Sequence, residues 1–295
     1  MERISCRNII LDTDSQQLYA LFYRIAKERL ERKHNDILKI YETSLKDWNQ
    51  TCYQILLKMM DIGTNKAAYQ RLAQVVPYRI LLREVTLPHA VESLLLGGSG
   101  LLSLYPDDEY TLALKEEWNH LACKYELSPM RLTDWNLARV RPYNHPVLRL
   151  AQLATLLHSK EFLVNRIIAC RTPEDVVELF SVEAAEYWND HFLPAIEGRN
   201  IPKRLGKEKA LILGINLVVP IQIAYSYNIG RFELRDNAEQ LLHLIPAENN
   251  RYTNTWQSAG VKLENAMASQ AVIQIVTEYC QKDRCEECPI SHIRD

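Results

Sequence analysis

Apolar residues recur three and four positions apart through most of the chain, the spacing of one face of an α-helix. Leu18, Leu21, Phe22 and Ile25 make such a face behind Asp12, Thr13, Asp14 and Ser15, whose side chains suit a helix N-terminus. Asp47 stands as an N-cap before Trp48, Cys52, Ile55, Leu56 and Met59, and Gly63 fits the left-handed stop after them. Ala68, Leu72, Val75 and Val76 carry a helix from Thr64 to Pro77. Pro88 then opens a short apolar helix that runs into Gly97-Gly98-Ser99-Gly100. Asp107 and Asp108 cap a helix bearing Leu112, Leu114, Trp118, Leu121 and Tyr125. Pro146 suits the first position of the next helix, and further helices are predicted over 162–170, 173–180, 182–192, 207–227, 234–245 and 264–279. Only Arg7-Asn8-Ile9-Ile10-Leu11 reads as a short extended piece, and no Asn-Gly or Asp-Gly hairpin signal is present. The predicted class is all-α: a multi-helix globular array with short loops and a cysteine-containing C-terminal tail.

Composition supports the same class. Nine glycines in 295 residues fall well below the usual share of about 7%, which suits helices better than turn-rich sheets. A 47% hydrophobic and 24% charged chain can bury a core. A formal charge of −2 predicts no global attraction to nucleic acid or acidic membranes. No secretory pattern follows Met1, and the most apolar run, Ala210 to Ala224, contains Asn216, Pro220 and Gln222, which fits a core helix better than a membrane span. Seven cysteines, four of them scattered singly, do not resemble a secreted disulfide framework, so a reducing, cytoplasmic setting without membrane association is expected. The stretch 197–206, with Pro202 and three basic residues, reads as a linker between an N-terminal region, 1–196, and a C-terminal region, 207–295.

Two constellations could carry chemistry. Cys280, Cys285 and Cys288 fall within nine residues as C-x4-C-x2-C, and His292 follows as a fourth ligand for zinc or an iron–sulfur cluster. The competing reading is a reduced cysteine cluster at the end of the chain. The second constellation is basic: Arg139, Arg141, His145 and Arg149 around a double-proline turn, then Lys203, Arg204, Lys207 and Lys209. Brought together, these would form a phosphate-binding patch. Otherwise the arginines pair within the fold and fix the turn. Asp12 and Asp14 read as capping residues, and Glu183, Glu186, Asp190 and His191 miss the Glu-x-x-His spacing of di-iron bundles. No P-loop, GxSxG or GxGxxG motif is present, nor a nucleophile with its base.

The cysteine tail resembles the iron–sulfur loop that ends the helical core of endonuclease-III-like DNA glycosylases, which shares a final C-x2-C-P. It departs from that loop in its shorter first spacing and in lacking a cysteine near Arg294. A wider resemblance rests on Glu28-Arg29-Leu30-Glu31-Arg32-Lys33, on Asp47-Trp48 with Tyr53-Gln54-Ile55-Leu56, and on Arg139-Val140-Arg141-Pro142 through Arg149-Leu150-Ala151-Gln152. It continues in Glu186-Tyr187-Trp188, Ser269-Gln270-Ala271 and Tyr279-Cys280 with Cys285-x-x-Cys288. Together these are similar to the bacterial family called domain of unknown function 2851. The resemblance implies no assigned activity. It implies longer members with an additional strand-rich, acidic N-terminal part suggestive of a nuclease-like fold, so that this chain corresponds to the helical C-terminal portion.

Three functional readings follow. The leading one is a non-catalytic helical module, associated with nucleic acid, supporting an activity carried elsewhere. A metal-dependent enzyme using the C-terminal cysteines is the second, and a structural module that binds another protein or domain is the third.

Overall fold

Most of the three-and-four spacing is realised as helix whose backbone donors are satisfied within each segment. The computed structural model describes residues 6–60, 63–87, 89–159 and 161–293. Among these the protein is predominantly helical, with one two-stranded sheet. The chain divides into two compact units, one comprising 1–39, 171–173 and 218–295 and the other 40–170 and 174–217.

In the first unit, the Ser15–Thr43 helix contributes the part up to Lys39. Its buried Phe22, Ile25 and Leu30 share a core with Leu241, Trp256, Ala271 and Ile275. These come from the helices Glu233–Leu244, Arg251–Ser258 and Ala266–Glu278. Asn250 caps the second of these with side-chain bonds to the Tyr252 and Thr253 amides, at 3.0 and 3.1 Å, and Asn265 caps the third. The Arg251–Ser258 helix lies outside the predicted elements; its capping Asn250 was the available signal.

The opening 7–11 is helix rather than an extended piece: Arg7–Asp12 turns on an Ile10 amide bond to the Cys6 carbonyl (3.1 Å). Two adjacent β-branched isoleucines favour strand as isolated residues, but burying Ile10 in the core overrides that weak preference.

In the second unit the Ala90–Gly98 helix is buried along its whole length. It packs on Glu109–Tyr125 and Pro146–Leu157. The glycine cluster makes this approach possible. A Cβ on Gly97 would stand 2.3 Å from the Trp118 ring, and one on Gly98 would stand 2.5 Å from Val76. Gly100, at φ +76°, ends the segment in the left-handed region. The start expected at Pro88 lies outside the described residues.

The helix expected over 182–192 is not formed. Its place is taken by a short 3-10 turn, Glu186–Asn189, and an antiparallel pair of strands, His191–Leu193 and Ile196–Glu197. The reason lies in where the backbone bonds go. Ala184 N–H donates to the Lys203 carbonyl (3.1 Å) and Leu205 N–H to Val182 (3.0 Å), so the segment is tied to 203–205 instead of to itself.

Lys207–Ile229, interrupted by π-helical residues 214–218, is long and apolar enough to cross a membrane, but 72% of its apolar window is buried inside the protein, as expected of a core helix.

Candidate functional sites

In the second unit the double-proline turn is built around buried polar side chains. His145 caps Pro146–Leu157: its Nδ1 accepts from the Val147 amide (3.3 Å), and Nε2 meets the Tyr105 hydroxyl at 3.0 Å. Burial pushes this imidazole down to about 4, so it stays neutral and serves as an acceptor. Arg149, also buried, donates to Gln152 Oε1 (2.9 Å) and Asn144 Oδ1 (2.8 Å), and burial lowers its pKa. Gln152 in turn donates to the Lys203 carbonyl (3.0 Å), so the arginine turn and the lysine segment do meet.

At that meeting Lys203 is wholly buried. Its ammonium donates to the carbonyls of Asn189 (2.7 Å), Ile201 (2.9 Å) and Arg199 (3.3 Å), and lies 4.2 Å above the Phe192 ring. Arg204 pairs with Glu183, its Nε donating at 2.9 Å. Lys209 Nζ donates to the Met59 carbonyl. Arg139, Arg141 and Lys207 are exposed. Of the eight basic candidates, His145, Arg149 and Lys203 therefore hold the fold from within, Arg204 is ion-paired, Lys209 donates to a backbone carbonyl, and Arg139, Arg141 and Lys207 face solvent. Tyr143 stands beside Arg141 in the chain, half exposed, edge-on to Phe192 at 4.8 Å between ring centres.

A second polar cluster in this unit gathers around Glu92, which no motif announced. Its carboxylate, 6% exposed, accepts from the Tyr110 hydroxyl (2.7 Å) and from Trp188 Nε1 (2.6 Å). Burial raises its pKa to about 7 against the pull of those two bonds. Tyr110, Tyr187 and His191 stack in sequence, with centroids 4.0 and 4.1 Å apart. Tyr187 donates to Asp108 (2.6 Å), the N-cap of Glu109–Tyr125. The only sequence signal for Glu92 was its position in the apolar run Ala90-Val91-Glu92-Ser93-Leu94-Leu95-Leu96.

In the first unit, Arg29, Arg32 and Lys33 face Gln270, Gln274 and Glu278. Arg29 Nε and Lys33 Nζ both donate to Gln270 Oε1, at 2.8 and 2.7 Å, and Arg32 pairs with Glu278 and Gln274. Burial, then the neighbouring guanidinium of Arg29, holds the Lys33 ammonium well below the ordinary lysine value, with Glu248 opposing. This arrangement accounts for the Glu28–Lys33 motif and for Gln270: one helix's cations are hydrogen-bonded by the amides of another, and Arg32 is ion-paired with its Glu278.

The tail follows directly. Tyr279 donates to Glu28 (3.2 Å), and Gln281 donates to the Tyr252 hydroxyl (3.1 Å). Cys280 and Cys285 are exposed and Cys288 is buried. The Cys288 amide donates to the Cys285 carbonyl (3.2 Å), and Ser291 Oγ donates to both cysteine carbonyls, at 2.9 and 2.6 Å. His292 Nε2 lies 2.6 Å from the Glu286 carbonyl. Among the described residues no group of three or more His, Cys, Asp or Glu side chains is arranged to hold a metal ion.

A family model described as "Protein of unknown function (DUF2851)" matches residues 1–251. The chain belongs to this family. No curated protein and no solved structure matches the DUF2851 chain. The match takes in the Glu28–Lys33 row, the double-proline turn and the Glu186-Tyr187-Trp188 turn; Gln270 and the cysteine tail lie beyond it.

Proposed function

We propose that this chain is a non-catalytic helical module of a cytoplasmic protein, supporting or targeting an activity carried elsewhere, and that it meets single-stranded nucleic acid through Arg139, Arg141 and Lys207. The observation that carries the reading is the division of labour among the basic residues. The buried His145, Arg149 and Lys203 rigidify the turn, while the three exposed cations sit on the segments they brace, with the half-exposed Tyr143 beside Arg141. Cations that follow a backbone and an aromatic face on which a base can stack are what such strands require.

The test is fluorescence anisotropy with labelled single-stranded DNA and RNA at two salt concentrations. Three phosphate contacts give a slope of about −2 in log K against log salt, so raising salt fourfold weakens binding roughly twentyfold. Alanine at Arg139, Arg141 and Lys207 together should abolish the salt-dependent part. Binding that is undetectable at low salt would remove this reading. It would leave a protein-interaction module in front, for which the exposed Tyr227, Ile229 and Phe232 of the first unit form an apolar patch.

A further inference from the structure

We propose that a cleft in the first unit is a binding site for a guanine base, carried either by a free nucleotide or by a nucleotide of a single strand. The inference stands apart from the strand contact assigned to Arg139, Arg141 and Lys207, which belong to the second unit.

The cleft holds about 430 Å³, within the range of about 300–1,000 Å³ in which small ligands are bound. Three helices of the one unit build it. Glu31, His34 and Asn35 share a face of Ser15–Thr43, spaced three and four apart. Tyr227 comes from Val219–Ile229, and Arg235 and Glu239 stand one turn apart on Glu233–Leu244.

The polar groups decide what chemistry fits. Lys27 and Arg235 offset Glu31 and Glu239 in formal charge, so the cleft selects neither a simple anion nor a simple cation. Its aliphatic lining is Leu30 and Ile223, too little to cover a lipid tail. Glu239 is engaged, accepting from the Tyr23 hydroxyl (2.7 Å) and pairing with Lys27 (3.3 Å). The Glu31 side chain has no hydrogen bond or ion pair among the described residues. His34 Nδ1 is buried and likewise meets no hydrogen-bond partner there. Burial lowers the His34 pKa, with Glu31 opposing, so the ring is neutral at neutral pH. The group that satisfies this set is uncharged and planar, with donors and acceptors along one edge, as a nucleobase is.

Tyr227 supplies the platform. Its ring is 50% exposed and is held by His34, tilted at 5.0 Å, and by Phe232, edge-on at 6.0 Å. Unpaired bases stack on such rings and are read along their Watson–Crick edges. Glu31 selects the base. A carboxylate only accepts, and guanine alone sets two neighbouring donors, N1–H and N2–H, on that edge. Asn35, one turn on, donates from its amide to the adjoining O6, and His34 in its Nδ1–H tautomer has N7 as its acceptor. Arg235, bonded to the Tyr227 hydroxyl and to Asp236, keeps further N–H groups for a sugar or phosphate oxygen.

The test is calorimetric titration of the full chain with guanosine monophosphate, against adenosine monophosphate, inosine monophosphate and inorganic phosphate. The guanine nucleotide should bind about tenfold more tightly than the adenine one, the discrimination of a two-bond contact. It should also exceed inosine monophosphate, which lacks the N2 amino group. Glu31 is exposed, so Glu31→Gln spares the fold and should erase both preferences while keeping adenine binding. Tyr227→Ala should weaken every nucleotide about tenfold. Alanine at Arg139, Arg141 and Lys207 should leave the guanine affinity unchanged, which separates failure here from failure of the strand contact. On the unaltered protein, the His34 ring resonances should move with guanosine monophosphate and not with phosphate. Thymidine strands with and without one guanosine then identify the source. A guanosine strand that outbinds the mononucleotide assigns the site to strands, and one that does not assigns it to free nucleotide; either supports a guanine site. Adenine bound as tightly as guanine, a preference that survives Glu31→Gln, or no guanine binding at millimolar concentration would overturn the proposal. So would one-for-one displacement of the nucleotide by inorganic phosphate.

Discussion

Replacing Glu92 by glutamine should make the protein's stability respond less to pH and should stabilise it above neutrality. Glu92 carries a carboxyl into a site that is 6% exposed, where its pKa rises from 4.5 to about 7. Below about pH 4.5 the carboxyl is protonated in folded and unfolded protein alike, and its ionisation costs the fold nothing. Between that point and about pH 7 the unfolded chain gives up the proton while the folded protein keeps it, so stability falls as pH rises. Above about pH 7 the loss is complete. The span from 4.5 to about 7, at roughly 1.4 kcal/mol per pH unit, comes to about 3 kcal/mol. Glutamine keeps an oxygen for Trp188 but turns an N–H toward the Tyr110 hydroxyl, which loses its acceptor at a cost of about 1 kcal/mol at every pH. The two proteins should therefore be within about 1 kcal/mol of each other near pH 5, with the variant about 2 kcal/mol more stable near pH 8.5. Urea denaturation of both proteins across that range, followed by circular dichroism and tryptophan fluorescence, measures the difference. A difference that stays constant with pH, or a variant that is weaker near pH 8.5, would refute the claim that burial governs this carboxyl.

Other consequences are simpler to state. Lys203→Met removes an ammonium that serves three carbonyls and should cost at least about 3 kcal/mol in urea denaturation, while leaving any nucleic-acid affinity of the folded protein unchanged. A loss below about 1 kcal/mol would show that water reaches those carbonyls. Gly97→Ala places a methyl 2.3 Å from the Trp118 ring and should destabilise by about 2–3 kcal/mol, seen as a lowered Tm, whereas alanine at Gly206, which meets nothing within 4 Å, should have little effect. Asn250→Ala removes the cap of Arg251–Ser258 and should cost about 1 kcal/mol. Because that helix anchors both Arg7 and Gln281, faster alkylation of Cys6 should accompany the loss.

The basic residues show where reading a sequence stops. Arg139, Arg141, His145, Arg149 and Lys203 look alike in the chain, as one run of positive charge around two prolines and a second run after Pro202. Their roles part only when burial is known. Arg149 and Lys203 are cations whose partners are neutral amides and carbonyls, and nothing in the sequence distinguishes them from the exposed Arg141.

The sequence by itself determined the class of this protein, because helix is a local matter. Apolar spacing, capping Asp and Asn, and stopping glycines all act within one or two turns, so Leu18 to Ile25 or Trp48 to Met59 could be read as helix without knowing what they would pack against. The same local cues misled wherever the backbone found a partner far along the chain. Residues 182–192 have helical texture, yet Ala184 N–H donates to the Lys203 carbonyl and the Val182 carbonyl accepts from Leu205; Ile9 and Ile10 have strand texture, yet the core claims Ile10. The placement of Glu92 between Tyr110 and Trp188 and the depth of Lys203 were decided by tertiary structure alone. Each depends on which distant groups displace water from a side chain, and that exchange leaves no periodic trace in the sequence.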